Sequence, residues 1–171
     1  METALNRKEL AYHGRGNMHE LFQRRHCVRS FQPRKPGREA LSAILDAANS
    51  APSAGDLKAR EILVVDDETI KARLVDAAFG QDFIAQAPAV LVFWAVPSLS
   101  AAKYGARGRE LFSLQDATIA ASFAWIQAVA SGLSCCWVGA FDDDAVKHIF
   151  RGKIKPEQRP VALLPVGYSA E

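Results

Sequence analysis

Leu114-Gln-Asp-Ala-Thr-Ile-Ala-Ala-Ser-Phe-Ala-Trp-Ile-Gln-Ala-Val-Ala130 decides the fold. Twelve of these seventeen residues are apolar, and they fall on every side of a helical turn. A helix patterned this way has no solvent face, so it is expected in the middle of the molecule. Gly132 ends it. Beyond it, Ser134 to Val138 reads as a strand, Asp142 to Phe150 as a helix, and Val161 to Val166 as the last strand. Upstream, Ala89 to Val96 is rich in β-branched and aromatic residues and reads as a long buried strand. Pro97 to Arg109, with Gly105 and Gly108, reads as a loop.

Further toward the start, Ile70 to Ala78 is a helix with an acidic first turn, and Glu61 to Val65 is a strand. Leu41, Ile44, Leu45 and Ala48 keep helical spacing until the loop around Pro52 and Gly55. Met18 to Arg25 is a short helix, broken by Gln32-Pro-Arg-Lys-Pro-Gly37. Residues 1–16 are polar and aperiodic, which predicts a loose arm before one domain over 17–171. Helices and strands intermix without repeats. The expected class is α+β, a central mixed β-sheet flanked by helices around a buried central helix.

Composition narrows the function. At 171 residues the chain is long enough to bury a core, and 49% hydrophobic with 23% charged residues is an ordinary globular balance. The formal charge of +2 gives no pull toward nucleic acid or membrane. Residues 1–36 hold eight Lys/Arg against three Glu, but no aromatic interleaving supports nucleic-acid binding. The apolar run Ala87 to Pro97 is too short to span a bilayer, and the first residues lack the apolar centre of a secretory signal. Three cysteines, two of them adjacent, suggest neither a disulfide framework nor a metal site, so the expected location is cytoplasmic.

The usual catalytic signatures are missing. Gly14-x-Gly16 follows no strand and lacks a third glycine, and no GxxxxGK[ST] or GxSxG occurs. His13, His19, His26 and His148 form no metal-ligand pattern, so no metal is expected. Asp142-Asp143-Asp144 reads as a helix N-cap rather than a metal cluster, and Cys135 and Cys136 as small core residues rather than nucleophiles. An enzyme without its own acid, base or nucleophile leaves the chemistry to a cofactor.

Several segments resemble the nitroreductase family of FMN-dependent oxidoreductases. Arg25-His-Cys-Val-Arg-Ser-Phe31 is similar to its R-R-S-x-R-x-F opening, and Ala51-Pro-Ser-Ala-Gly-Asp56 to its A-P-S-A-G-N loop. Gln81-Asp-Phe-Ile-Ala-Gln-Ala-Pro88, Gln115-Asp116, Gly132 to Phe141 and Arg159 to Tyr168 resemble later blocks in the same order. The likeness covers about residues 17–168. It implies a homodimer with FMN at each subunit interface and NADH or NADPH as electron donor. Electrons would pass pairwise through flavin N5 to a nitroaromatic, quinone or enone, with no catalytic side chain. Carried over by position, Arg25, His26 and Cys27 would lie along the phosphate and ribityl chain, and Arg29 by N1/O2 of the ring. Pro52, Ser53 and Asp56 would reach the flavin from the partner. Gln81 would touch the ring, and Val138, Gly139 and Ala140 would offer backbone beside N5 and O4.

The chain also departs from the family pattern. Asp56 replaces an amide and Arg60 an aromatic, and the sequence ends at Glu171 where many relatives carry a basic tail. The alternative implied by these changes is an FMN-binding module with a decayed or repurposed site.

Overall fold

Seven helices and four strands alternate in a computed structural model that describes residues 18–171; the arm expected over 1–16 lies outside the described residues. The order is α1 (Met18–Arg24), α2 (Arg38–Ser50), β1 (Arg60–Val65), α3 (Glu68–Ala77), α4 (Phe83–Gln86), β2 (Ala89–Ala95), α5 (Pro97–Arg107), α6 (Ser113–Ala130), β3 (Ser134–Cys135), α7 (Asp143–Ile149) and β4 (Arg159–Gly167). The sheet runs β1-β2-β4-β3, so the two central strands come from distant parts of the chain.

β2 shows why the sheet lies inside. All seven of its residues are buried, and its period-two alternation feeds two separate cores. Val90, Val92 and Trp94 pack with Leu74, Ile84, Val146 and Phe150, from α3, α4, α7 and the residue that follows α7. Leu91 and Phe93 face Ile44, Ala48, Ala120, Ala121 and Ala124 of α2 and α6. Helices therefore cover both faces. Trp94 and Phe150 meet edge to face, 5.5 Å between centroids. Alanines along α6 let α2 and the sheet approach closely.

The structure modifies three expectations. The mixed sheet is antiparallel in all three strand pairings, with a parallel element only in isolated bridges such as Cys27–Cys135. The expected loop over 97–109 is instead α5, followed by a wider helical turn at Gly108–Phe112. Pro97 occupies its first turn, where its missing N–H is harmless, and Gly105 kinks it with φ +58°. Two glycines had suggested a loop; one absorbs the kink and the other a close approach. Finally, α6 is central but not buried all round: Gln115, Thr118, Ser122, Phe123 and Ala130 are exposed along one side.

Gly108 is where the α5 hairpin is tightest. A Cβ there would overlap the Ser100 carbonyl oxygen, a backbone atom. Gly108→Ala should therefore destabilise by about 1–3 kcal/mol through overpacking. Thermal denaturation followed by circular dichroism checks this, and an unchanged midpoint would refute the close approach.

Candidate active site

The Arg25–Arg29 pentad begins where α1 ends. Arg25 N–H closes the last turn on the Leu21 carbonyl at 3.1 Å, and the chain then straightens to run beside β3. Val28 N–H donates to the Cys135 carbonyl at 3.1 Å, which buries Val28 completely and leaves its neighbour Arg29 exposed. Extended backbone thus separates the pentad into an anchored apolar residue and outward cations.

Both arginines lie over rings. The Arg25 guanidinium is 4.5 Å from the Trp125 ring centroid, and Trp125 stacks on Trp137 at 6.4 Å. The Arg29 guanidinium is 5.9 Å from Phe83, at the start of α4. Among the described residues, the ion pairs within 4 Å are Lys71–Glu68 and Lys147–Asp144, so neither arginine is committed to a carboxylate. Glu171 meets Arg29 through its backbone instead, accepting from Arg29 N–H at 3.0 Å. His26 is exposed, its Nδ1 2.9 Å from the Arg24 carbonyl.

Gln81 ties a second segment to this edge. Its side-chain amide donates to the carbonyls of Ala78 and Ala140, both at 3.0 Å. Val138 exchanges two 3.0 Å bonds with Leu163, so Val138 is fixed while Gly139 and Ala140 emerge exposed. Lys71 anchors the α4–β2 junction beside them from within: its buried Nζ donates to Ala85 and Ala87 carbonyls at 3.1 and 2.8 Å. Arg25, Cys27, Arg29, Gln81 and residues 138–140 are thereby gathered along the β3 side of the sheet.

Pro52, Ser53 and Asp56 are not. Their loop runs into β1, at the other end of the strand order. Asp116 of α6 shapes it: one carboxylate oxygen accepts from Ala54 N–H at 2.9 Å, the other from Ala59 N–H at 3.1 Å. Ser53 Oγ accepts from Lys58 N–H at 2.9 Å. Asp56 is exposed, with φ +54°. Arg60 turns inward, where its Nη2 donates to the Ala48, Asn49 and Ala51 carbonyls at the end of α2. Burial lowers the Arg60 pKa, opposed by the negative charges of Asp116 and Asp56.

Asp116 had no role assigned from the sequence. Its signal was there: it is the one charged residue between Leu114 and Ala130, and a charge inside an apolar helix needs partners. Two other readings hold. Asp142 caps α7 by accepting from Ala145 N–H at 2.9 Å. Cys135 and Cys136 are buried, and burial raises both thiol pKa values.

This architecture is that of the solved nitroreductases. A nitroreductase-family protein from Clostridium novyi NT superposes with a TM-score of 0.80 at 24% identity, covering 91% of this chain and 87% of that one. An FMN-dependent nitroreductase from Clostridium difficile R20291 does so at 0.76 and 26% identity, covering 88% and 87%. A protein of Methanothermobacter thermautotrophicus, whose assigned name is that of an NADH dehydrogenase/NAD(P)H nitroreductase, is 28% identical over 154 residues. That match spans 89% of this chain and 77% of the relative. The family model described as Nitroreductase family matches residues 22–81 and 76–168. The chain belongs to the nitroreductase family.

Proposed function

We propose that this protein is an FMN-dependent oxidoreductase that uses NADH or NADPH and works as a homodimer. The observation that carries the reading is the edge just described: two guanidinium groups without carboxylate partners beside the exposed backbone of Gly139 and Ala140. That donor set fits a phosphorylated, planar, electron-rich ligand. Charge-assisted donors suit phosphate, and a glycine lets a ring approach the main chain. Bound FMN would supply two-electron transfer from NAD(P)H to a small electrophilic acceptor such as a nitroaromatic, quinone or enone.

The chain's residues then divide the work. Arg25, held against Trp125, binds the phosphate, with His26 and Cys27 along the ribityl chain. Arg29 sets a fixed positive charge at the N1/O2 edge of the ring, one of the levers a protein has on flavin electronics. Gln81 positions the 139–140 segment through its bond to Ala140 and lies beside the ring, while Val138, Gly139 and Ala140 face N5 and O4. Pro52, Ser53 and Asp56 serve the partner's flavin, which accounts for a loop at the far end of the sheet order. Among the described residues no helix is long and apolar enough to cross a membrane, and with three free thiols a cytoplasmic location belongs to the same reading.

The purified protein should be yellow, release flavin on denaturation, and bleach when NADH or NADPH is added without oxygen. A colourless protein that FMN cannot reconstitute would refute the proposal. The exposed carboxylate of Asp56 favours a second reading, a flavin-holding module with a decayed site. Flavin that dithionite reduces but neither nicotinamide does would select that reading.

A further inference from the structure

Phe79 is held where helices ordinarily place glycine. α3 ends in a Schellman turn: Gly80 N–H donates to the Val75 carbonyl at 3.0 Å, and Phe79 N–H to the Asp76 carbonyl at 3.2 Å. The residue that closes such a turn takes the left-handed conformation, and here it is Phe79, at φ +57°. A Cβ strains that conformation, and a bulky ring there is rare. Burial does not recover the cost, because the side chain is 72% exposed. A residue both strained and exposed to water points to a use outside the fold.

The ring borders a groove of about 400 Å³ between α3 and α7, a size that holds a small organic ligand. Ile149 gives it an apolar wall, and Arg73, Asp76, Asp142 and His148 bring polar groups to it. Asp142 N–H donates to the Ala77 carbonyl at 2.8 Å, which fastens the two helices together at this end. Two residues beyond Phe79, the Gln81 amide reaches the Ala140 carbonyl at 3.0 Å. The groove therefore opens beside the backbone assigned to flavin N5 and O4.

We propose that this groove holds the adenosine half of the nicotinamide donor, with its base stacked on Phe79. The inference rests on the proposed function, in which NAD(P)H meets the flavin beside Ala140. A nicotinamide lying there leaves the rest of the dinucleotide to run outward, and the groove is the concave surface next to it. An exposed aromatic face is what a base stacks on. The lining also selects between donors. Arg73 meets two carboxylates, Asp76 and Asp142, so with His148 uncharged the groove is negative on balance. Asp142 commits one oxygen to Ala145 N–H and keeps the other as an acceptor. Carboxylates accept from ribose hydroxyls and repel a 2′-phosphate, which favours NADH over NADPH.

Isothermal titration of the protein as purified with ADP-ribose, which lacks the nicotinamide, tests the groove. Wild type should bind it, and Phe79→Gly should bind it about tenfold more weakly or worse, the ordinary worth of one base stack. Phe79→Gly should also melt about 2–4 °C higher, because glycine relieves the strain. ADP-ribose bearing a 2′-phosphate should bind wild type about tenfold more weakly, and Asp76→Asn should narrow that gap. No uptake of ADP-ribose, or equal affinity in Phe79→Gly, overturns the groove. A lower melting temperature makes the ring structural and overturns it as well. Tighter binding of the 2′-phosphate form overturns the choice of NADH. If the protein holds no flavin yet binds ADP-ribose through Phe79, the flavin reading falls and the groove stands. Flavin that NADH bleaches without any uptake of ADP-ribose sinks the groove alone.

Discussion

Asp116→Ala is expected to lower the melting temperature by roughly 10 °C, at about 2–4 °C per kcal/mol for a chain of this size. The carboxylate is 2% exposed, and both of its oxygens are committed to backbone N–H groups five residues apart, at Ala54 and Ala59. Alanine removes both acceptors while the Ala59 donor stays buried, and an unmade buried bond costs about 1–3 kcal/mol. It also removes negative charge that opposes the desolvation of Arg60, whose Nε and Nη1 are buried without partners. Breaking a buried charge arrangement from one side typically costs about 3–5 kcal/mol, so the stranded charge adds to the unmade bond.

Two further variants separate these causes. Asp116→Asn keeps one acceptor oxygen and should lose roughly half as much. Arg60→Met in the Asp116→Ala background should recover part of the loss, since the stranded charge is then gone, and a double-mutant cycle measures the coupling. A loss below about 1 kcal/mol for Asp116→Ala, the level of an ordinary substitution, would show that Asp116 does not organise the loop.

The sequence made β2, α6 and the Asp142 cap legible because each depends on local pattern: an unbroken apolar run, an all-round apolar helix, an acid before a periodic segment. The cations of the pentad were legible as residues, and the structure accounts for their outward direction through Val28, which β3 buries. What pattern could not carry was pairing at a distance. Nothing local relates Gln81 to Ala140, Asp116 to Ala54, or Cys27 to Cys135; each contact exists only once the chain has folded around the sheet β1-β2-β4-β3. Arg60 misled for the same reason. It stands where the family carries an aromatic, yet its guanidinium closes the end of α2. The α5 segment was misread because glycine signals a break without saying whether the chain leaves the helix or only bends it.

Phe123→Asp carries the heaviest consequence for the proposed homodimer, whose interface we place on the exposed side of α6. A helix with so few polar residues still presents Phe123 at 41% exposure, beside half-buried Ile119 and Ile126. Apolar residues spaced along one exposed helix side mark an interface more readily than a free surface. In a two-fold dimer the same residue lies on both subunits, so one substitution places two carboxylates in the contact. At about 3–5 kcal/mol for each uncompensated buried charge, the penalty exceeds the roughly 5.5 kcal/mol that shifts an equilibrium about ten-thousandfold. The variant should sediment as a folded monomer with wild-type circular dichroism. Its flavin affinity should fall about a hundredfold or more, a loss of roughly 2.7 kcal/mol, because Pro52, Ser53 and Asp56 stand at the opposite end of the sheet order from Arg25 and Arg29. Phe123→Ala, which adds no charge, should weaken the dimer without abolishing either property. A Phe123→Asp protein that stays dimeric would move the interface elsewhere; a monomer that holds FMN as tightly as wild type would show that one chain completes the site alone.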